Sequence, residues 1–226
     1  MGYAATVLER LTTALEAERD REAAGAMRAY MRDQFDYVGV RLPRLRVLVK
    51  AAIAGLPAPT PEELTELARA GWARPEREYQ YAAVELLRRY APGYPSGFLA
   101  VVRELIEAKS WWDTVDSLAA DVVGVLVRRN PELVHQMDAW IEDDNLWIAR
   151  TALLHQLTYK QATDAERLFR YCTRQAGHRD FFIRKAIGWA LRQYARTDPV
   201  AVAAFVARTG LSGLSRREAL KHLGGG

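Results

Sequence analysis

With 226 residues, half of them apolar and 27% charged, the chain has an ordinary globular composition and enough length to bury a core. No apolar run nears the roughly 18 residues that span a bilayer; MGYAATVLER has no signal pattern, and the lone Cys172 excludes an internal disulfide and makes a cysteine-based zinc site improbable. The net charge of +4 is uneven, +7 from Asp164 onward and −3 before it, and carried by arginine rather than lysine, which suits a phosphate-bearing partner.

Apolar residues recur at helical spacing along the whole chain, with no strand-type alternation. After the turn GLPAPTP (55–61), YAAVELLRRYA sets Val84, Leu87 and Tyr90 beside Ala83 and Leu86 on one helix side. APGYPSG (91–97) ends it, and KSWWDTVDS (109–117) opens a long helix that stops at RRNP (128–131). Helices NLWIARTALLHQL (145–157) and FFIRKAIGWALRQYA (181–195) follow, with turns at RTDP (196–199) and TGLSG (209–213). None of these turns is long enough to be a linker, so one domain over 1–222 is expected, with 223–226 as a flexible tail.

Two pieces of the chain repeat. RRYAPGYP (88–95) and RQYARTDP (192–199) share R-[RQ]-Y-A-x-x-x-P at an offset of 104, and WIARTALL and FIRKAIGW align at an offset of 35. Periods near 35 suggest an all-α protein of stacked antiparallel helix pairs, a curved solenoid whose concave face would receive a large partner. An irregular helical bundle is the alternative.

Within KSWWDTVDS, Ser110 and Asp113 have capping-box spacing. Trp111, Val115, Leu118, Val122 and Val125 form one apolar stripe, which makes Trp111 core. Trp112 and Asp116, four apart on the flank of that stripe, are left over. From these residues alone the simpler expectation is that Asp116 pairs with an arginine of a neighbouring helix while Trp112 fills the seam. The other is a working site, an acid beside an aromatic wall that stabilises a cation. Later helices offer Trp147 and Arg150, and then Lys185, Trp189 and Arg192, as partners around one groove; core packing for Trp189, with Gly188 making room, and a solvated face for the cations are the alternatives.

These stretches, with MRAYMRDQFDYVGVRLP (27–43) and REYQYAAVELL (77–87), resemble the AlkD family of DNA glycosylases, helical proteins of HEAT-like repeats that remove alkylated purines. K-S-W-W-D-x-V-D is the most specific match. The resemblance implies that Asp116 is the catalytic carboxylate between Trp112 and Trp189, and that Arg150 meets a DNA phosphate. It also implies that Tyr30 and the segment around Arg41 touch DNA, although in VGVRLPRLR (38–46) Leu45 interrupts the basic pair expected after the proline. Lys185 and Arg192 are expected to clamp phosphates.

The implied reaction is monofunctional hydrolysis of the N-glycosidic bond of a cationic N3- or N7-alkylpurine in double-stranded DNA. An alkylated purine leaves neutral, so one carboxylate that steadies the oxocarbenium charge on the sugar suffices. Neither metal nor cofactor is expected; a cytoplasmic monomer is. Two other classes remain, a non-catalytic helical-repeat protein that grips damaged or branched DNA and a protein-binding scaffold.

Overall fold

The computed structural model describes residues 2–221; the expected tail at 223–226 lies outside them. The chain is all-helical: no strand occurs among the described residues, where Asp36 and Glu76 form only an isolated bridge. Nor is any helix among them long and apolar enough to cross a membrane. Two compact units divide it, one ending at Lys109 and the other beginning at Ser110.

The first unit contains α1 (Tyr3–Ala17), α2 (Arg21–Tyr30), α3 (Leu42–Ala52), α4 (Pro61–Ala73), α5 (Arg77–Tyr90) and α6 (Leu99–Glu107). Its core is a leucine-rich layer of Leu11, Leu15, Leu45, Leu64, Leu67, Leu86 and Leu87. Leu45 is fully buried, which explains the interrupted basic pair: that position of α3 faces the core, while Arg44 and Arg46 on either side are exposed. Helix α4 starts where sequence rules place it, with Pro61 in its first turn and a capping box between Thr60 and Glu63.

Ahead of α3, the irregular stretch 31–41 is tied down by α5. The buried Glu78 carboxylate accepts the backbone N–H groups of Val38, Gly39 and Val40 at 3.0, 2.8 and 3.1 Å. Burial pushes the Glu78 carboxyl above its usual range, and these three N–H donors oppose that push. Gly39 has φ +106°, and a Cβ there would fall 2.1 Å from the Asp20 carbonyl oxygen, so no other residue fits. Buried Arg77 completes the anchor, its guanidinium 3.7 Å above the Phe35 ring.

The second unit contains α7 (Trp112–Ser117), α8 (Gly124–Arg129), α9 (Val134–Trp140), α10 (Leu146–Leu154), α11 (Ala165–Arg174), α12 (Phe181–Tyr194), α13 (Pro199–Arg208) and α14 (Gly213–Leu220). Side-chain caps on Asn145, Asp164, Asp180, Asp198 and Ser212 start α10 to α14. Helix α7 starts one residue later than the capping-box spacing suggests: its N-cap is Trp111, whose side chain makes no capping bond.

Between α7 and α8 the helix continues through a π-helical turn, Leu118–Val123. A π turn inserts an extra residue, so the apolar stripe slips. Val115, Leu118 and Val122 are buried as expected, but beyond them Val123, Gly124, Leu126 and Val127 are buried while Val125 is part-exposed. The turn directly follows Asp116 and Ser117.

Within each unit, side-chain ties recur at nearly constant sequence separation. In the first, Arg69 meets Glu104, 35 residues on, and the Tyr94 hydroxyl donates to the Pro59 carbonyl, 35 back. In the second, Arg150 meets Asp116 (34), Tyr159 donates to the Gly124 carbonyl (35), and Lys185 meets Glu218 (33). Equal positions of successive helix pairs therefore touch, as stacked repeats require. The matched motifs agree with this: α5 and α12 each have 14 residues and end at Tyr90 and Tyr194, 104 positions apart.

Just past α10, His155 is buried and its Nδ1 donates to the Ala152 carbonyl at 2.7 Å. Burial pulls its pKa from 6.5 down to about 4, so the folded state prefers the neutral ring. Its contribution to stability is present above pH 6.5 and is lost as pH falls toward 4, about 3 kcal/mol by linkage. Urea unfolding at neutral and acidic pH is expected to give a drop larger by about that amount in the wild type than in His155→Gln; equal drops would refute it.

Candidate active site

Asp116 leaves α7 just before the π turn and is 14% exposed. Arg150, rising from the middle of α10, grips it through both oxygens: Nε donates to Oδ1 at 2.7 Å and Nη2 to Oδ2 at 2.8 Å. The remaining terminal nitrogen, Nη1, donates to the Phe182 carbonyl at the start of α12. One guanidinium thus joins three successive helix pairs. Burial raises the Asp116 carboxyl above its usual range, the Arg150 hydrogen bonds and charge pull it back, and nearby Asp113 adds a small upward push.

Around this pair lies a cleft of about 310 Å³ lined by Trp112, Asp116, Arg150, Phe181, Phe182, Lys185, Trp189, Arg192 and Glu218. That volume lies at the lower end of the range of small-ligand sites. Trp112 and Trp189 are both part-exposed and present indole surface to it. Trp111, Trp147 and Phe182 pack as a cluster with centroids 5.0 to 5.8 Å apart; of the three, Phe182 lines the cleft and Trp147 does not. Phe181, 46% exposed, adds an apolar lip.

Gly188 makes room for α14, since a Cβ there would lie 2.4 Å from Glu218 Cβ and 2.9 Å from the Ser215 carbonyl oxygen. The cations are not a bare solvated face. Lys185 Nζ donates to Glu218 Oε1 at 2.8 Å, Arg192 Nη1 donates to Glu218 Oε2, and these bonds hold the Glu218 carboxyl below its usual range. Asp116 is paired with an arginine of a neighbouring helix, and it also lines the cleft with Trp112 and Trp189.

Glu218, Phe181 and Phe182 were not singled out from the sequence, yet the repeat spacing carried the signal. Asp116, Arg150, Lys185 and Glu218 follow one another at steps of 34, 35 and 33, and Trp112, Trp147 and Phe182 at steps of 35. The first three of these helices put an aromatic near the helix start and a charged residue three or four positions later, on one face; α14 keeps only the charge.

Tyr30 and Arg41 belong to the first unit. Tyr30 ends α2 with 72% of its surface exposed, and Arg41 is the exposed N-cap of α3, directly after the loop that Glu78 anchors.

Stacked helix pairs with a carboxylate, a guanidinium and indoles in one cleft define a helical-repeat protein with a candidate site in that cleft. The chain belongs to the DNA alkylation repair enzyme family, whose model matches residues 11–223. Among solved structures it is similar to a predicted DNA alkylation repair enzyme from Enterococcus faecalis, with 30% identity over 92% of this chain and 98% of that one and a TM-score of 0.86. It shares its fold with smu.31 from Streptococcus mutans UA159, at 17% identity, 79% and 92% coverage and a TM-score of 0.62. No curated protein matches it.

Proposed function

We propose that the chain is a monofunctional DNA-alkylpurine glycosylase, a single domain of HEAT-like repeats acting as a cytoplasmic monomer on double-stranded DNA. It hydrolyses the N-glycosidic bond of purines made cationic by alkylation at N3 or N7. The observation that carries this is the Asp116 carboxylate at the edge of a cleft walled by Trp112 and Trp189.

The chemistry needs little else. The alkylated base is already a good leaving group, so the barrier lies in the positive charge that grows on the deoxyribose as the bond breaks. A fixed carboxylate in a poorly screened cleft steadies that charge, and each indole face adds attraction of about 0.5 to 2 kcal/mol. The base departs neutral, so no general acid is required. Arg150 favours the ionised form of Asp116 and aims it; three of its five N–H groups are committed to Asp116 and Phe182, and the other two are its proposed donors to a phosphate. Lys185 and Arg192 are proposed phosphate contacts, and Tyr30 and Arg41 proposed DNA contacts of the first unit.

A non-catalytic DNA-binding role is favoured by one observation, that both oxygens of Asp116 are occupied by Arg150. Incubation with methylated duplex DNA and chromatography of the soluble fraction separates the two. Free 7-methylguanine or 3-methyladenine is expected, and a protein that binds the duplex yet frees no base is not a glycosylase.

A further inference from the structure

Glu218 faces the cleft from α14, and nothing in the reaction just described uses it. Its placement is built: Gly188 lets α14 press against α12, and Ser215, fully buried one turn before Glu218, donates through Oγ to the Arg184 carbonyl at 2.9 Å. The result is a single carboxylate whose two oxygens are shared between two cations, Lys185 on one and Arg192 on the other. Neither cation is sealed off, Lys185 being 38% exposed and Arg192 22%.

We propose that the Glu218 carboxylate is a stand-in for a DNA phosphate: it holds Lys185 and Arg192 as a two-pronged anion site and yields that site when a phosphodiester arrives. This rests on the proposed function, because it assigns the arriving anion to duplex DNA. A phosphodiester offers two unesterified oxygens with one negative charge, as a carboxylate does, so the same fork accepts either. The exchange weakens binding to undamaged DNA, since each encounter must displace an internal counter-charge. Glu218 is thus a positioning residue that sets the affinity of the cleft.

The test is titration of a short fluorescein-labelled unmodified duplex across a range of salt. Glu218→Gln frees both cations, so it should bind more tightly, by about tenfold near 0.1 M salt, with a slope of log K against log salt steeper by up to about 0.9 per cation released. A purely structural role, in which the carboxylate only fixes the two side chains, gives weaker binding or an unchanged slope, and either result in a folded variant overturns the proposal. If Glu218→Gln does not fold, Glu218→Asp keeps the charge but is one methylene too short to bridge both cations. It should change binding in the same sense by less, and a folded Asp variant that binds no tighter also overturns the proposal. The base-release assay on the wild type stands apart: no release would remove the glycosylase while leaving the sign of the binding change readable.

Discussion

Asp116→Asn is expected to lose base release by about a hundred- to a thousandfold while still binding DNA. A unit negative charge about 4 Å from a sugar acquiring unit positive charge, at an effective dielectric near 20, is worth roughly 4 kcal/mol, about a thousandfold in rate. Arg150 lies on the same carboxylate and partly offsets that field, so the lower end of the range is included. Asparagine keeps the side-chain volume and one oxygen to accept from Arg150, so folding should survive with a loss of about 1 to 3 kcal/mol. Binding should be unchanged or slightly tighter, because a negative charge has been removed from the cleft proposed to meet DNA. Single-turnover release and duplex binding, measured side by side, check this; a variant that retains wild-type release would assign the chemistry elsewhere. In the wild type the carboxylate must be ionised to act, and its carboxyl is raised by burial. Release should therefore fall on the acidic side at a higher pH than for a solvent-exposed aspartate.

Arg150→Ala is expected to cost about 3 to 5 kcal/mol of stability, because it leaves a buried carboxylate without its partner. The Phe182 carbonyl also loses its donor, which loosens the start of α12. Without the guanidinium the Asp116 carboxyl rises further, so the acidic limit of base release should move to higher pH. The sign for stability follows. With a folded-state pKa raised above the unfolded one, the folded variant takes up the proton first as pH falls, so its deficit against wild type shrinks on acidification. If the remaining Arg150 donors meet a phosphate, as proposed, their loss should weaken DNA binding and flatten its salt dependence. Denaturant unfolding at two pH values, with the pH profile of release, tests both parts; a fully stable variant with an unmoved profile would mean that Arg150 does not govern Asp116.

Five turn signals, GLPAPTP, APGYPSG, RRNP, RTDP and TGLSG, each coincide with a helix boundary, because proline, glycine and capping side chains act through backbone geometry within a few residues. The matching ends of α5 and α12 were legible for the same reason. The apolar stripe after KSWWDTVDS was legible only as far as the π turn, since regular helical spacing carries no sign of an inserted residue. Leu45 could be read as a departure from the expected basic pair, but its cause, the core-facing side of α3, could not.

The sequence by itself determined an all-helical chain, its helix starts and turns, its repeat length, and the residues from which a cleft could be made. Only the tertiary structure decided which charges meet: that Arg150 commits most of its donors to Asp116 and Phe182, that Gly188 seats α14, and that Glu218 holds Lys185 and Arg192. Helix propensities and caps are decided by neighbours within about four positions along the chain. The strength of a charge depends instead on its burial and on partners 26 to 34 residues away, which no local pattern encodes.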